Sequence, residues 1–410
     1  MDRAHHRTAA QQTAAKQTAA KQTAAKRITR VFAGLAAAVG LAGFAQGSLA
    51  AEFPEPLAAE PIPAVASIAT PYPPSYALVH DFGFGSLIDS AFSLVDTADG
   101  RFKGMVSAGN FATVVVSSAR QEIYVGETYY SHGTRGERAD LVSVYDMENL
   151  ALLAEIPIPE KRAGIVVQKW AQAITASGKF MLIFNLTPAT SVSVVDLDTR
   201  TFVGEIPTPG CSLVYPTKAH DFFMICGDGA LLNVFLDDNG AVAAQRKTAP
   251  FIDIDADPLS EKATLAGGTW QFVSFLGDVQ PVSADGAPGE RWSLTSKQER
   301  GRNWRPAGWH WTAGHPDGRL WVGMTPNGYD GSHKDPATEI WLFDAKQHKR
   351  LQRIELKVPA LSIDVTLEEQ PRLLVVNVEF ALDVYDAASG AHQRTIYDLG
   401  ASPYQVHRMP

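Results

Sequence analysis

A short apolar strand that ends on aspartate recurs down the chain. It is read at Phe92-Ser-Leu-Val-Asp96, Val142-Ser-Val-Tyr-Asp146, Val192-Ser-Val-Val-Asp196, Asn233-Val-Phe-Leu-Asp237, Ile340-Trp-Leu-Phe-Asp344 and Leu382-Asp-Val-Tyr-Asp386. The long interval after Asp237 holds a degenerate seventh copy, Pro281-Val-Ser-Ala-Asp285. Seven copies at a mean interval of about 48 residues predict an all-β, seven-bladed β-propeller over 76–410, each unit one four-stranded blade. An aspartate at a strand end accepts hydrogen bonds from turn N–H groups, so these seven read as hairpin formers. Apolar runs that precede the copies, such as Glu122-Ile-Tyr-Val125, Phe180-Met-Leu-Ile183 and Leu373-Leu-Val-Val376, read as central strands covered on both faces.

Composition agrees with a globular body, at 45% hydrophobic and 20% charged residues, and excludes disorder and collagen. The net charge of −8 is unevenly spread: residues 1–50 hold seven basic side chains against Asp2 alone, which leaves the rest of the chain strongly acidic. Such a body disfavours nucleic acid, whose binding rests on cations against phosphates. Residues 12–26 are three tandem copies of Gln-Thr-Ala-Ala-Lys, and an uncharged stretch from Val31 to Phe44 follows, then small residues to Ala50. This order predicts a signal peptide over 1–50, export to the periplasm, and no membrane span, since a span needs about 20 apolar residues. The Pro- and Ala-rich residues 51–75 read as an arm into the folded body. Cys211 and Cys226 could be free thiols, a metal pair or a disulfide; export favours the disulfide, as a local staple worth about 3 kcal/mol.

Fragments that imitate catalytic or binding sites each lack a requirement. Asp253-Ile-Asp-Ala-Asp257 has Pro258 where a calcium loop turns on glycine, and Thr264 where it closes on glutamate. Gly83-Phe-Gly85 and Gly227-Asp-Gly229 have neither the third glycine nor the helix of a phosphate cradle. Trp309-His310-Trp311 with His315 has no further ligand at metal spacing, and no Gly-x-Ser-x-Gly elbow occurs. The residues therefore point to a binding scaffold, or to a subunit whose chemistry lies on another chain.

Whole segments resemble the heavy, or large, subunit of the quinoprotein amine dehydrogenases. These are Thr134-Arg-Gly-Glu-Arg-Ala-Asp140, Phe222-Phe-Met-Ile-Cys-Gly-Asp-Gly229, the Cys211 and Cys226 pair, and Asn303-Trp-Arg-Pro-Ala-Gly308. Gln271-Phe-Val-Ser-Phe-Leu-Gly277 and Gly331-Ser-His-Lys-Asp-Pro-Ala-Thr-Glu-Ile-Trp341 lean toward the aromatic amine branch over the methylamine branch. The resemblance implies a seven-bladed large subunit without cofactor, metal or catalytic residue, in an α2β2 assembly with a small subunit that carries tryptophan tryptophylquinone. It further implies oxidative deamination of a primary amine to aldehyde and ammonia, with electrons passed to a blue copper protein. Within Asp81-Phe-Gly-Phe84, Phe84 matches the family phenylalanine that reaches the substrate channel, with Phe82 as second choice. Arg135, Glu137 and Arg138 form a charged loop suited to a subunit interface. The competing expectation is a noncatalytic periplasmic propeller that only binds.

Overall fold

The computed structural model describes residues 66–164 and 167–410; the expected signal segment and the arm up to residue 65 lie outside the described residues. Residues 66–75 lie against the body, with the Ile68 amide donating to Glu148 O at 2.7 Å and the buried Tyr72 hydroxyl donating to Met147 O at 2.7 Å.

Among the described residues, 28 strands form six antiparallel sheets, and the architecture is an all-β propeller. Five of these sheets are separate four-stranded blades. The expectation of seven separate blades is not borne out, because the last eight strands before the closing strand hydrogen-bond into one sheet. The physical reason is the 17-residue strand Lys349–Val365, which runs unbroken where a turn was expected. Its first half pairs with Ala337–Asp344 and its second half with Arg372–Asn377. Side chains from both halves of this sheet, among them Ile340, Leu342, Leu373 and Val375, share one buried cluster.

Successive sheets are joined by apolar layers, which is why their central strands read as continuous hydrophobic runs. Phe92 and Leu94 of the first sheet pack with Val114 and Val125 of the second, and Tyr124 and Val144 of the second with Met181 and Val195 of the third. Leu374 and Val384 of the eight-stranded sheet pack on Ala77 and Val79 of the first, so the packing returns to its start. The last strand, Pro403–Arg408, pairs antiparallel with the first, Tyr76–Asp81, and closes the ring through main-chain bonds. The first strands of neighbouring sheets lie beside one another around a central channel.

Six of the seven aspartates do what the pattern requires. Asp196 Oδ1 accepts from the Asp198 and Thr199 amides at 2.9 Å each, and Asp96, Asp146, Asp237, Asp344 and Asp386 make equivalent turns. The degenerate copy differs. There Ser283 Oγ accepts from the Asp285 and Ala287 amides at 3.3 Å each, so the turn former stands two residues before Asp285. Asp285 instead ion-pairs with Lys218 on the surface. Cys211 and Cys226 are bonded to each other as directly opposed residues of neighbouring strands.

An aspartate that holds two turn amides contributes more than a serine at longer reach. Asp196→Ala is expected to lower stability by about 1–2 kcal/mol, and Ser283→Ala by less. Thermal unfolding of the two variants checks the order.

Candidate functional site

In an antiparallel sheet with consecutive strand order, the loops from second to third strand all leave on one face of the ring. The 82–89 loop of the first sheet, the 130–138 hairpin of the second and the 377–382 turn of the eight-stranded sheet therefore share a face. Large apolar side chains are exposed on it beside charged ones: Phe84 is 46% exposed, Ile88 46% and Phe380 40% on the loops, and Tyr129 43% at the end of the strand Glu122–Tyr130, all in sheets adjacent in the ring. The first two loops approach each other closely: a Cβ added at Gly133 would stand 3.9 Å from Ile88 Cδ1.

Phe84 is the best-placed group on it. Its ring meets Phe82 edge-on at 4.8 Å and Tyr404 at 4.9 Å, and Tyr404 in turn meets Trp309 at 5.3 Å. Phe82 is buried against Phe111 at 5.4 Å, so it supports Phe84 from behind. Tilted aromatic contacts of this kind favour edge-on geometry and limit where the exposed ring can move.

The backbone beneath Phe84 is held by one carboxylate. Asp81 Oδ1 accepts from the Gly83 amide at 3.0 Å, the Ser402 amide at 3.1 Å and the Ser402 hydroxyl at 3.0 Å, and Oδ2 accepts from the Ala401 amide at 2.7 Å. Ser402 Oγ then accepts from the Phe84 amide at 3.0 Å. The chain turns with Gly83 at φ +61°, where a Cβ would lie 2.2 Å from Asp89 O, so only glycine fits. Burial alone would raise the Asp81 pKa, but the bonds from Gly83, Ala401 and Ser402 outweigh it and hold the carboxyl below its ordinary value.

The three charged residues of the neighbouring hairpin separate. Arg135 and Glu137 are exposed, whereas Arg138 turns inward, donating to Asp140 from Nε at 2.9 Å and Nη2 at 2.7 Å and to Arg162 O at 2.8 Å. Arg162 is buried behind it and donates to the Phe111 and Asn110 carbonyls at 2.7 and 2.8 Å. Cys211 and Cys226 lie on the same face of the ring in a different sheet, as a staple. Tyr404 and Ser402 carry no local motif, because only the closing strand pair brings them to Phe84, and Trp309, read in the sequence only as part of a failed metal motif, joins the row through Tyr404. Among the described residues, no three His, Cys, Asp or Glu side chains gather as a metal would need. No helix among them is long and apolar enough to cross a membrane.

Residues 76–409 match the sequence profile of the methylamine dehydrogenase heavy chain. The chain belongs to that family. The methylamine dehydrogenase heavy chain of Methylophilus methylotrophus is 29% identical over 326 residues, covering 77% of this chain and 79% of that one. That of Methylobacillus flagellatus is 28% identical over 316 residues, covering 75% and 78%. Among solved structures, a dihydro-heme d1 dehydrogenase, NirN, shares the fold at 16% identity and a TM-score of 0.51, covering 85% of this chain and 77% of that one. As a member of the methylamine dehydrogenase heavy chain family, the chain is a subunit of an amine dehydrogenase, and a heavy chain implies a light-chain partner.

The Asp81 carboxylate carries a pH signature. Because its folded pKa is depressed below the ordinary 3.8, its hold on the loop is fully present above that value and is lost as pH falls through the lower folded pKa. Asp81→Ala should remove it at every pH, and the Gly83, Ala401 and Ser402 amides should exchange about tenfold faster than wild type near neutrality. Hydrogen exchange read at those amides checks this.

Proposed function

We propose that this chain is the scaffold and channel wall of a periplasmic amine dehydrogenase whose redox group, tryptophan tryptophylquinone, is carried by the light chain. In this reading two heavy and two light chains assemble. A primary amine, aromatic or aralkyl or else methylamine, is deaminated to aldehyde and ammonia, and electrons leave to a blue copper protein. The observation that carries it is Phe84, a half-exposed ring held from below by Asp81 and Ser402 on a face that also exposes Ile88, Tyr129 and Phe380. A large rigid aromatic in that state forms a wall once a partner covers it, and the surrounding side chains are apolar and aromatic, as suits a surface set against another chain's cofactor. The row Phe84, Tyr404 and Trp309 continues that wall with flat π faces, which supports amines bearing an aromatic body. Arg135 and Glu137 then lie at the rim of the contact, where exposed charges set orientation more than affinity. The N-terminal segment rich in cations and followed by an apolar stretch supports export.

Purification of the tagged chain from the periplasm of its native host tests the reading. A stoichiometric small subunit whose visible absorption bleaches on adding a primary amine is expected. A colourless chain isolated alone while amine oxidation is active would move the assignment to a binding scaffold. In the assembled enzyme, Phe84→Ala is expected to change relative kcat/KM between a benzylic and a short aliphatic amine by about tenfold or more while assembly persists. Unchanged ratios across an amine series remove Phe84 from the channel.

A further inference from the structure

We infer that the central channel holds a binding site for a small organic anion, a carboxylate on an apolar or aromatic body, on the side of the ring away from Phe84. A cavity of about 520 Å³ occupies the channel there, a size within the usual range for small-molecule sites. It is bordered by Pro316 and Leu367, which lie on turns between first and second strands and therefore on the face opposite the 82–89 loop. Val115, Ile174 and Leu265 give it apolar walls.

Its polar end carries more positive charge than it neutralises. Lys169 Nζ lies 2.7 Å from Asp364 Oδ2, and Arg408 Nη1 lies 3.7 Å from Asp364 Oδ1. Asp364 is already engaged elsewhere, since the Val365 amide donates to Oδ1 at 2.9 Å and the Arg408 amide to Oδ2 at 3.2 Å. One carboxylate thus stands against two cations. The Lys169 ammonium has three donors and spends one on Asp364; the Arg408 side chain donates through Nη1 to Gly314 O, and its Nε and Nη2 have no protein acceptor among the described residues.

The Lys169 side chain is only 10% exposed, and burial outweighs the nearby Asp364 and holds its pKa below the ordinary value. A buried cation with unspent donors is costly, and an incoming anion that accepts from them offsets that cost. His310, only 2% exposed, also borders the cavity, and its Nδ1 has no hydrogen-bond partner among the described residues. Burial, with Lys169 and Lys262 nearby, holds its pKa well below the ordinary value, so it stays neutral and keeps one N–H to donate. The combination of two cations, a neutral imidazole and apolar walls fits a carboxylate on a hydrocarbon body better than a bare inorganic ion.

The site is tested by calorimetric titration of the purified assembly, or of the chain if it is isolated alone, with benzoate and with its neutral isostere benzyl alcohol. Benzoate is expected to bind with a dissociation constant at or below about 1 mM, and benzyl alcohol at least about tenfold more weakly. Lys169→Met should weaken benzoate at least about tenfold. Because that variant leaves Asp364 short of a partner, Val115→Trp provides an independent check: it fills the cavity from its apolar side, replaces no charged group, and should abolish binding. Absence of benzoate binding to folded protein, equal binding of benzyl alcohol, or undiminished binding by Val115→Trp would each overturn the inference.

Discussion

The pairing of the last strand with the first holds the remaining features in place. Pro403–Arg408 adds to the edge of Tyr76–Asp81, with Val406 opposite Val79 and His407 opposite Leu78. A ring of sheets buries its inter-sheet layers only if the first and last sheets also meet, so this main-chain ladder protects all of the apolar clusters at once. Its side chains then serve both ends of the channel. At one end Ser402 and Tyr404 hold and flank Phe84, and at the other Arg408 joins Lys169 about Asp364. Two sites on opposite faces therefore depend on one register.

The two faces solve different physical problems. The face around Phe84 exposes large apolar side chains that water does not favour, which is the condition of a surface awaiting a partner. Its order comes from below, through a carboxylate that accepts four hydrogen bonds. The channel interior instead buries ionised groups, and the pKa of Asp364 is held below its ordinary value because Lys169 and Arg408 outweigh the effect of burial. In both places one aspartate ties together segments far apart in sequence.

Much of this was legible in the amino acids. The recurring strand ending in aspartate has a local cause, an acceptor for turn amides, and local causes can be read from local sequence. The disulfide was favoured by the expected export rather than by spacing, and its cysteines are directly opposed on adjacent strands of one hairpin. The count of separate blades was not legible, because no residue between Lys349 and Val365 marks where one sheet stops hydrogen-bonding to the next, and Pro359 does not end the strand. The degenerate copy was placed by its aspartate when Ser283 forms the turn, a substitution of one small acceptor for another that spacing alone does not resolve. Phe84 was singled out only by resemblance, and Tyr404 meets it through the closing strand, a contact across more than 300 residues of sequence. Arg138 looked like its neighbours Arg135 and Glu137 and is distinguished only by the inward carboxylate of Asp140.

The central claim is that the face bearing Phe84 is where a second chain sits. Hydrogen–deuterium exchange of the assembly isolated from the native host, compared with the heavy chain after dissociation, tests it most directly. Slower exchange in the assembly at residues 82–89, 130–138 and 377–382, with the outer strand Arg101–Ala108 unchanged, is the predicted result. Protection confined to outer strands or to the turns around Pro316 and Leu367 would contradict the account.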